Sequence, residues 1–80
     1  MVEIIIDENF KKKFQKIKNN QTKEKIIKQI EKIKDNPEIG KPMQYERKGT
    51  RELYISPYRL SYELEEGKIY ILDIYHKDQQ

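Results

Sequence analysis

The sequence contains no cysteine, one histidine and three scattered glycines in 80 residues. Without cysteine there is neither a disulfide framework nor a thiolate zinc site, and His76 alone makes no histidine zinc pair. A metal-free, cofactor-free protein of a reducing compartment is expected. No Gly-rich phosphate loop is present and no Ser-His-Asp set is suggested by spacing, which sets aside nucleotide-driven and triad-hydrolase chemistry. No apolar run approaches the roughly 20 residues of a spanning helix. Met1 to Asp7 lacks the basic start and small-residue cleavage site of a signal peptide, so a cytoplasmic location away from membranes is expected. Eighty residues suffice for one small domain and not for two. No repeat, low-complexity tail or long linker divides the chain, and residues 1–80 are read as one domain.

What is abundant is lysine. The formal balance is +3, but Lys11 to Lys34 holds ten lysines against only Glu24 and Glu31, a local balance of +8. The remainder is net acidic. Such a block attracts phosphate backbones and releases their counterions, the sequence-independent route to nucleic-acid affinity. A lysine-coated helix surface is equally an ordinary solubilising choice, or a trace of codon bias or a hot habitat. The block alone leaves both readings open.

Val2 to Ile6 is a β-branched run ended by Asp7, which predicts a buried strand and then a helix cap. Phe10, Phe14 and Ile17 stand at i, i+4 and i+7, one face of a helix that Asn19-Asn20 should end. Thr22 is the expected cap of a second helix, in which Ile26, Ile27, Ile30 and Ile33 repeat the stripe until Asn36-Pro37 forbids continuation. Residues 37–42 are rich in proline and glycine and read as a connector belonging to neither helix nor ladder.

Four extended segments are predicted beyond it: Met43 to Arg47, Arg51 to Ser56, Tyr58 to Glu65 and Ile69 to Tyr75. Lys48-Gly49, Pro57 and Glu66-Gly67-Lys68 separate them. Tyr58, Leu60, Tyr62 and Leu64 alternate with Arg59, Ser61 and Glu63, so one face is buried and the other polar. Ile69 to Tyr75 is apolar on both faces, with Leu72 and Ile74 expected on one side and Ile71 on the other, as in a more central strand. The fold class is α+β, in the order β-α-α-β-β-β, with the helical hairpin packed on one face of a small, mostly antiparallel sheet.

The chemistry-bearing residues are cationic. Lys48, Arg51, Arg59 and Lys77 lie on elements that a curled hairpin sheet would bring onto or beside one face, an arrangement suited to RNA. RNA is cut without a metal when its own 2′-hydroxyl attacks the adjacent phosphate, and fixed cations that stabilise the extra negative charge then contribute several kcal/mol. His76 has the one side chain that titrates near neutrality and is a candidate proton carrier. A lone histidine at a strand end is more often structural. Arg59 projects from an apolar strand between Tyr58 and Tyr62. The ordinary alternative is an exposed ion pair with Glu63 or, across the hairpin, Glu52, worth about 0–1 kcal/mol. The tyrosines offer base stacking, but Tyr58, Tyr62, Tyr70 and Tyr75 follow the apolar pattern of core residues.

Glu52-Leu53-Tyr54-Ile55, then Tyr58-Arg59-Leu60-Ser61-Tyr62-Glu63-Leu64, then Ile69 to Tyr75 and His76-Lys77 resemble the RelE/ParE toxin superfamily in order and spacing. Its members show Glu-Leu-Arg-Ile, Tyr-Arg-x-x-Tyr, a hydrophobic strand and a closing His-Arg, preceded by a strand and a helical hairpin. The resemblance implies a ribosome-dependent messenger-RNA endonuclease that inhibits translation and is neutralised by a RelB-like antitoxin. Arg59 matches the family's central arginine, and Lys77 stands where a closing arginine is usual. Lysine lacks the bidentate fork, so a looser hold on phosphate and weaker activity are expected. Tyr54 replaces the motif's arginine, and the tyrosine that often follows His-Arg has no counterpart before Gln80. Arg59, Lys77 and Arg51 are thus the candidate catalytic residues, and Arg47, Lys48 and His76 the candidate RNA contacts. Two alternatives stay open: a ParE-like inhibitor of DNA gyrase, and a non-cleaving repressor that occupies the ribosomal decoding site.

Overall fold

A computed structural model describes residues 3–43 and 49–79. Strand β1 (Glu3–Ile6) leads into helices α1 (Glu8–Gln15) and α2 (Asn20–Asp35). Then come β2 (Lys41–Pro42), β3 (Thr50–Ile55), β4 (Tyr58–Glu65), β5 (Lys68–His76) and a closing 3-10 turn, Lys77–Gln79. The five strands form one sheet in the order β1-β5-β4-β3-β2. β1 runs parallel to β5, and the other pairings are antiparallel. The α+β class and the helical hairpin on one face agree with the expectation from sequence.

Local chemistry explains the helix ends. Asp7 caps α1, its carboxylate accepting the Asn9 N–H at 2.8 Å. The first helix stops at Gln15, short of Asn19-Asn20, because the Lys16 N–H turns back to the Lys13 carbonyl and the Ile17 N–H to the Phe14 carbonyl, both at 3.1 Å, the tightening that satisfies a helix terminus. Ile17 lies outside the helix yet is buried. Asn19, not Thr22, caps α2: its side chain accepts the Thr22 N–H at 3.1 Å. Within α2, Ile26 and Ile33 are fully buried, whereas Ile27 is 48% exposed. The stripe that touches the sheet is narrower than the run of isoleucines.

Other corrections concern the sheet. β1 is an edge strand, half-exposed rather than buried. Lys41–Pro42 of the expected connector pair with Glu52 and Arg51 of β3, a place open to proline because edge strands leave one side of the ladder unpaired. The predicted strand Met43 to Arg47 lies outside the described residues except for Met43, whose N–H donates to the Thr50 carbonyl at 2.9 Å. β4 and β5 join through Glu66 and Gly67, both at positive φ, the geometry that a two-residue hairpin needs to match strand twist.

β5 departs from simple alternation. Ser61 faces Asp73 but the next residue, Tyr62, faces Ile71, so Leu72 is an extra residue in the ladder. Such a bulge reverses the inward and outward parity of the residues beyond it. Ile69, Ile71 and Ile74 therefore all reach the core, where two-residue alternation places Ile71 and Ile74 on opposite sides. With Leu60, Tyr62, Ile55, Ile26, Ile33, Phe10 and Ile17 they form the packed layer between helices and sheet. Leu64, near the far end of β4, is 41% exposed.

Candidate functional site

Residues directly opposite in neighbouring strands share a face. Leu53, Leu60 and Ile74 are cross-strand partners on the helix-covered side, as are Ile55, Tyr58 and His76. The other side carries Tyr54, Arg59 and Tyr75 as one row across β3, β4 and β5, with Glu52 and Ser61 as the next. Arg59 is thus central to the face that the helices leave open, flanked by two tyrosines from the adjoining strands.

Its surroundings are charged and aromatic. The Arg59 guanidinium lies 5.7 Å from the Tyr54 ring centre, within cation–π range. One of its nitrogens is 3.7 Å from a Glu52 carboxylate oxygen. Glu52 is 6% exposed, so the expected exposed pair is a half-buried one, and its second oxygen receives the Tyr75 hydroxyl. Tyr54 is 51% exposed, and its hydroxyl donates to Ser56 Oγ at 3.3 Å. The Ser56 hydrogen bond, with the nearby charges of Lys77 and Arg59, holds the Tyr54 phenol below its ordinary pKa against a smaller opposing effect of desolvation. Lys77 is exposed, its N–H anchored to the Pro57 carbonyl at 3.0 Å. Beside the row, a groove of about 620 Å³ is lined by Tyr54, Arg59, Glu52, Lys41 and Met43 among others.

Arg59 is therefore packed beside Tyr54, and the charges of Arg59 and Lys77 both act on the Tyr54 phenol. Arg51 goes elsewhere. It is opposite Tyr62 on the helix-covered side and donates to the carbonyls of Gly40 at 2.7 Å and Glu38 at 3.2 Å, which ties down the connector. His76 also stands on the helix side, edge-on to Tyr58 with ring centres 5.6 Å apart, its Nδ1 accepting the Asp78 N–H at 3.2 Å. Arg47 and Lys48 lie outside the described residues. Sequence reasoning missed Tyr54, Tyr75 and the buried state of Glu52. The available signal was Tyr54 itself, an aromatic residue on the polar phase of an alternating strand.

The fold is shared with small toxins of known structure. The toxin-antitoxin complex RelBE2 from Mycobacterium tuberculosis superposes with a TM-score of 0.83 at 19% identity, over 95% of this chain and 98% of that one. The isolated E. coli RelE toxin gives 0.82 at 16% identity, over 100% and 88%. The YoeB-YefM complex from Staphylococcus aureus gives 0.80 at 18%, over 95% and 98%. No curated protein sequence matches the chain. By architecture, with two helices on one side of a five-stranded mixed sheet and an arginine-centred row on the other, it is a RelE-like fold. The family model for the ParE toxin of type II toxin-antitoxin system, parDE, matches residues 4–80, and the chain belongs to that family, within the RelE/ParE superfamily of type II toxins. No helix among the described residues is long and apolar enough to cross a membrane.

Proposed function

We propose that this toxin acts in the cytoplasm as a metal-independent endoribonuclease on ribosome-bound messenger RNA, with the whole chain working as one domain. The observation that carries the reading is Arg59 in the middle of the open face of the sheet, its guanidinium 5.7 Å from the Tyr54 ring centre. Arg59 and Lys77 hold the scissile phosphate and stabilise the charge that develops as the 2′-oxygen bonds to phosphorus and the 5′-oxygen leaves. The proton lost by the 2′-hydroxyl and the one gained by the 5′-oxygen need a carrier. Tyr54, its phenol made more acidic by Ser56 and the two cations, is suited to that transfer. The products are a cyclic 2′,3′-phosphate and a free 5′-hydroxyl.

Primer extension on a translated messenger RNA, after purified toxin is added to a cell-free system, tests this. Cuts at ribosomal positions that disappear with Arg59→Ala, and fall at least tenfold with Tyr54→Phe, are expected. Inhibited translation without cuts would favour occlusion of the decoding site. A second reading is favoured by the family match itself. ParE-like relatives act on DNA gyrase, and gyrase-linked DNA breaks with intact messenger RNA would establish that target instead.

The partner is expected to be an antitoxin with an acidic helix or strand. β2 pairs with only two residues of β3, so Leu53–Ile55 have no strand neighbour on that side among the described residues. Lys41 stands in the adjoining groove, a fit for strand addition by a negatively charged segment. Two of the structural relatives are themselves toxin-antitoxin complexes. Failure to co-purify with the protein encoded beside it would refute the partner.

A further inference from the structure

Glu52 is the one charged residue that is buried among the described residues, and it is buried on the side of the sheet away from the helices. A carboxylate out of water needs partners that offset its desolvation. Glu52 on β3 finds them on two other strands: the Tyr75 hydroxyl from β5 on one oxygen and Arg59 from β4 beside the other. The contact with Arg59, at 3.7 Å, is a charge attraction too long for a hydrogen bond. Arg59 Nε is also buried without a hydrogen-bond partner among the described residues. The guanidinium thus lies between Glu52 and the Tyr54 ring with no hydrogen bond from its N–H groups among the described residues, and its side chain is still 39% exposed.

We infer that Glu52, tethered by Tyr75, is a positioning residue that holds the Arg59 guanidinium in one place on the open face, so that its terminal N–H groups meet a phosphate as a preformed fork. The role follows from the geometry of a bidentate donor: arginine gains over lysine only when its plane is fixed. A carboxylate in hydrogen-bond contact would occupy the donors, and no carboxylate would leave the side chain to wander. This function of Glu52 rests on the reading of Arg59 as the phosphate-holding residue, and the test separates the two.

The side-chain Nε–H signal of Arg59 in 15N-labelled toxin, identified by its loss in Arg59→Lys, reports guanidinium order without any substrate. Slow exchange and backbone-like order are expected in the native protein. Glu52→Gln, which keeps an oxygen for Tyr75 but removes the charge, should bring the signal to the behaviour of a solvated arginine. Tyr75→Phe should have an intermediate effect and serves if Glu52→Gln does not fold. In the cleavage assay Glu52→Gln should lower kcat by about 10²-fold, the scale of a small misplacement of a reacting group, with KM little changed. It should cost almost nothing further in an Arg59→Lys background, since residues acting as a unit are non-additive. An Arg59 signal that exchanges freely in the native protein, or is unaltered in folded Glu52→Gln or Tyr75→Phe, overturns the inference, as does an equal loss in both backgrounds. Absence of RNA cleavage by the native toxin would defeat the phosphate-holding reading alone, and the spectroscopic result would still decide whether Glu52 positions Arg59.

Discussion

Tyr62 shows how much one side chain settles. Fully buried at the centre of the sheet, its hydroxyl donates to the Pro37 carbonyl at 2.7 Å and accepts the Gly40 N–H at 2.8 Å. The phenol thereby joins the connector to the core, beside the Arg51 bonds to Glu38 and Gly40. Tyr62→Phe should destabilise the toxin by about 1–3 kcal/mol, the cost of leaving buried groups unsatisfied, in a urea titration. Burial raises the Tyr62 pKa above its ordinary value, against the opposing Gly40 N–H and Arg51 charge. A raised folded-state pKa means that the stabilisation is complete below the unfolded value near 10 and is lost as pH rises through the folded one. Alkaline unfolding should therefore begin later in Tyr62→Phe than its lower overall stability implies. Gly40 is constrained by the same contact, since a Cβ there would lie 2.7 Å from the Tyr62 hydroxyl and 3.0 Å from the Glu52 carbonyl. Gly40→Ala should lower the thermal midpoint. Tyr54 shifts the other way, and a phenol absorbance titration should lose a low-titrating group in Tyr54→Phe and show it raised in Lys77→Ala.

At the scale of elements, the apolar periods identified both helices, but their ends depended on which of several plausible residues closed the backbone hydrogen bonds. Thr22 and Asn19 both have capping chemistry, and only Asn19 stands where its oxygen meets the Thr22 N–H. Asn19→Ala should cost about 1 kcal/mol in chemical denaturation, with a much smaller loss for Thr22→Ala. The bulge at Leu72 was invisible for a related reason. A strand of Ile, Tyr, Ile, Leu, Asp, Ile, Tyr is compatible with either parity, and the partner strand decides. β4 brings Leu60 and Tyr62 inward, and β5 accommodates Leu72 so that Ile74 and Ile71 can meet them.

Over the whole molecule the lysine block remains on the outside. Lys25, Lys28 and Lys32 are exposed on α2 at helical spacing, and none pairs with a carboxylate among the described residues. If this surface meets RNA, replacing the three with glutamine should reduce the dependence of log affinity on log salt by about 0.7 for each phosphate that is no longer neutralised, measured by fluorescence anisotropy on a single-stranded RNA. An unchanged slope would mark the face as solvated only. Either result leaves the Arg59 row intact, because the row lies on the side of the sheet that the helices do not cover.

Composition and periodicity by themselves determined the α+β class, the helical hairpin, the β4–β5 hairpin and the outward phase of Arg59, since each is a local matter of burial and hydrogen bonding within a few residues. The tertiary structure alone decided which cations share a face. Arg51 and Arg59 lie eight residues apart on adjoining strands with similar local patterns, yet one is bound to connector carbonyls and the other stands between Tyr54 and Tyr75. Strand register, the bulge and the path of the connector separate them, and those depend on packing between segments distant in sequence.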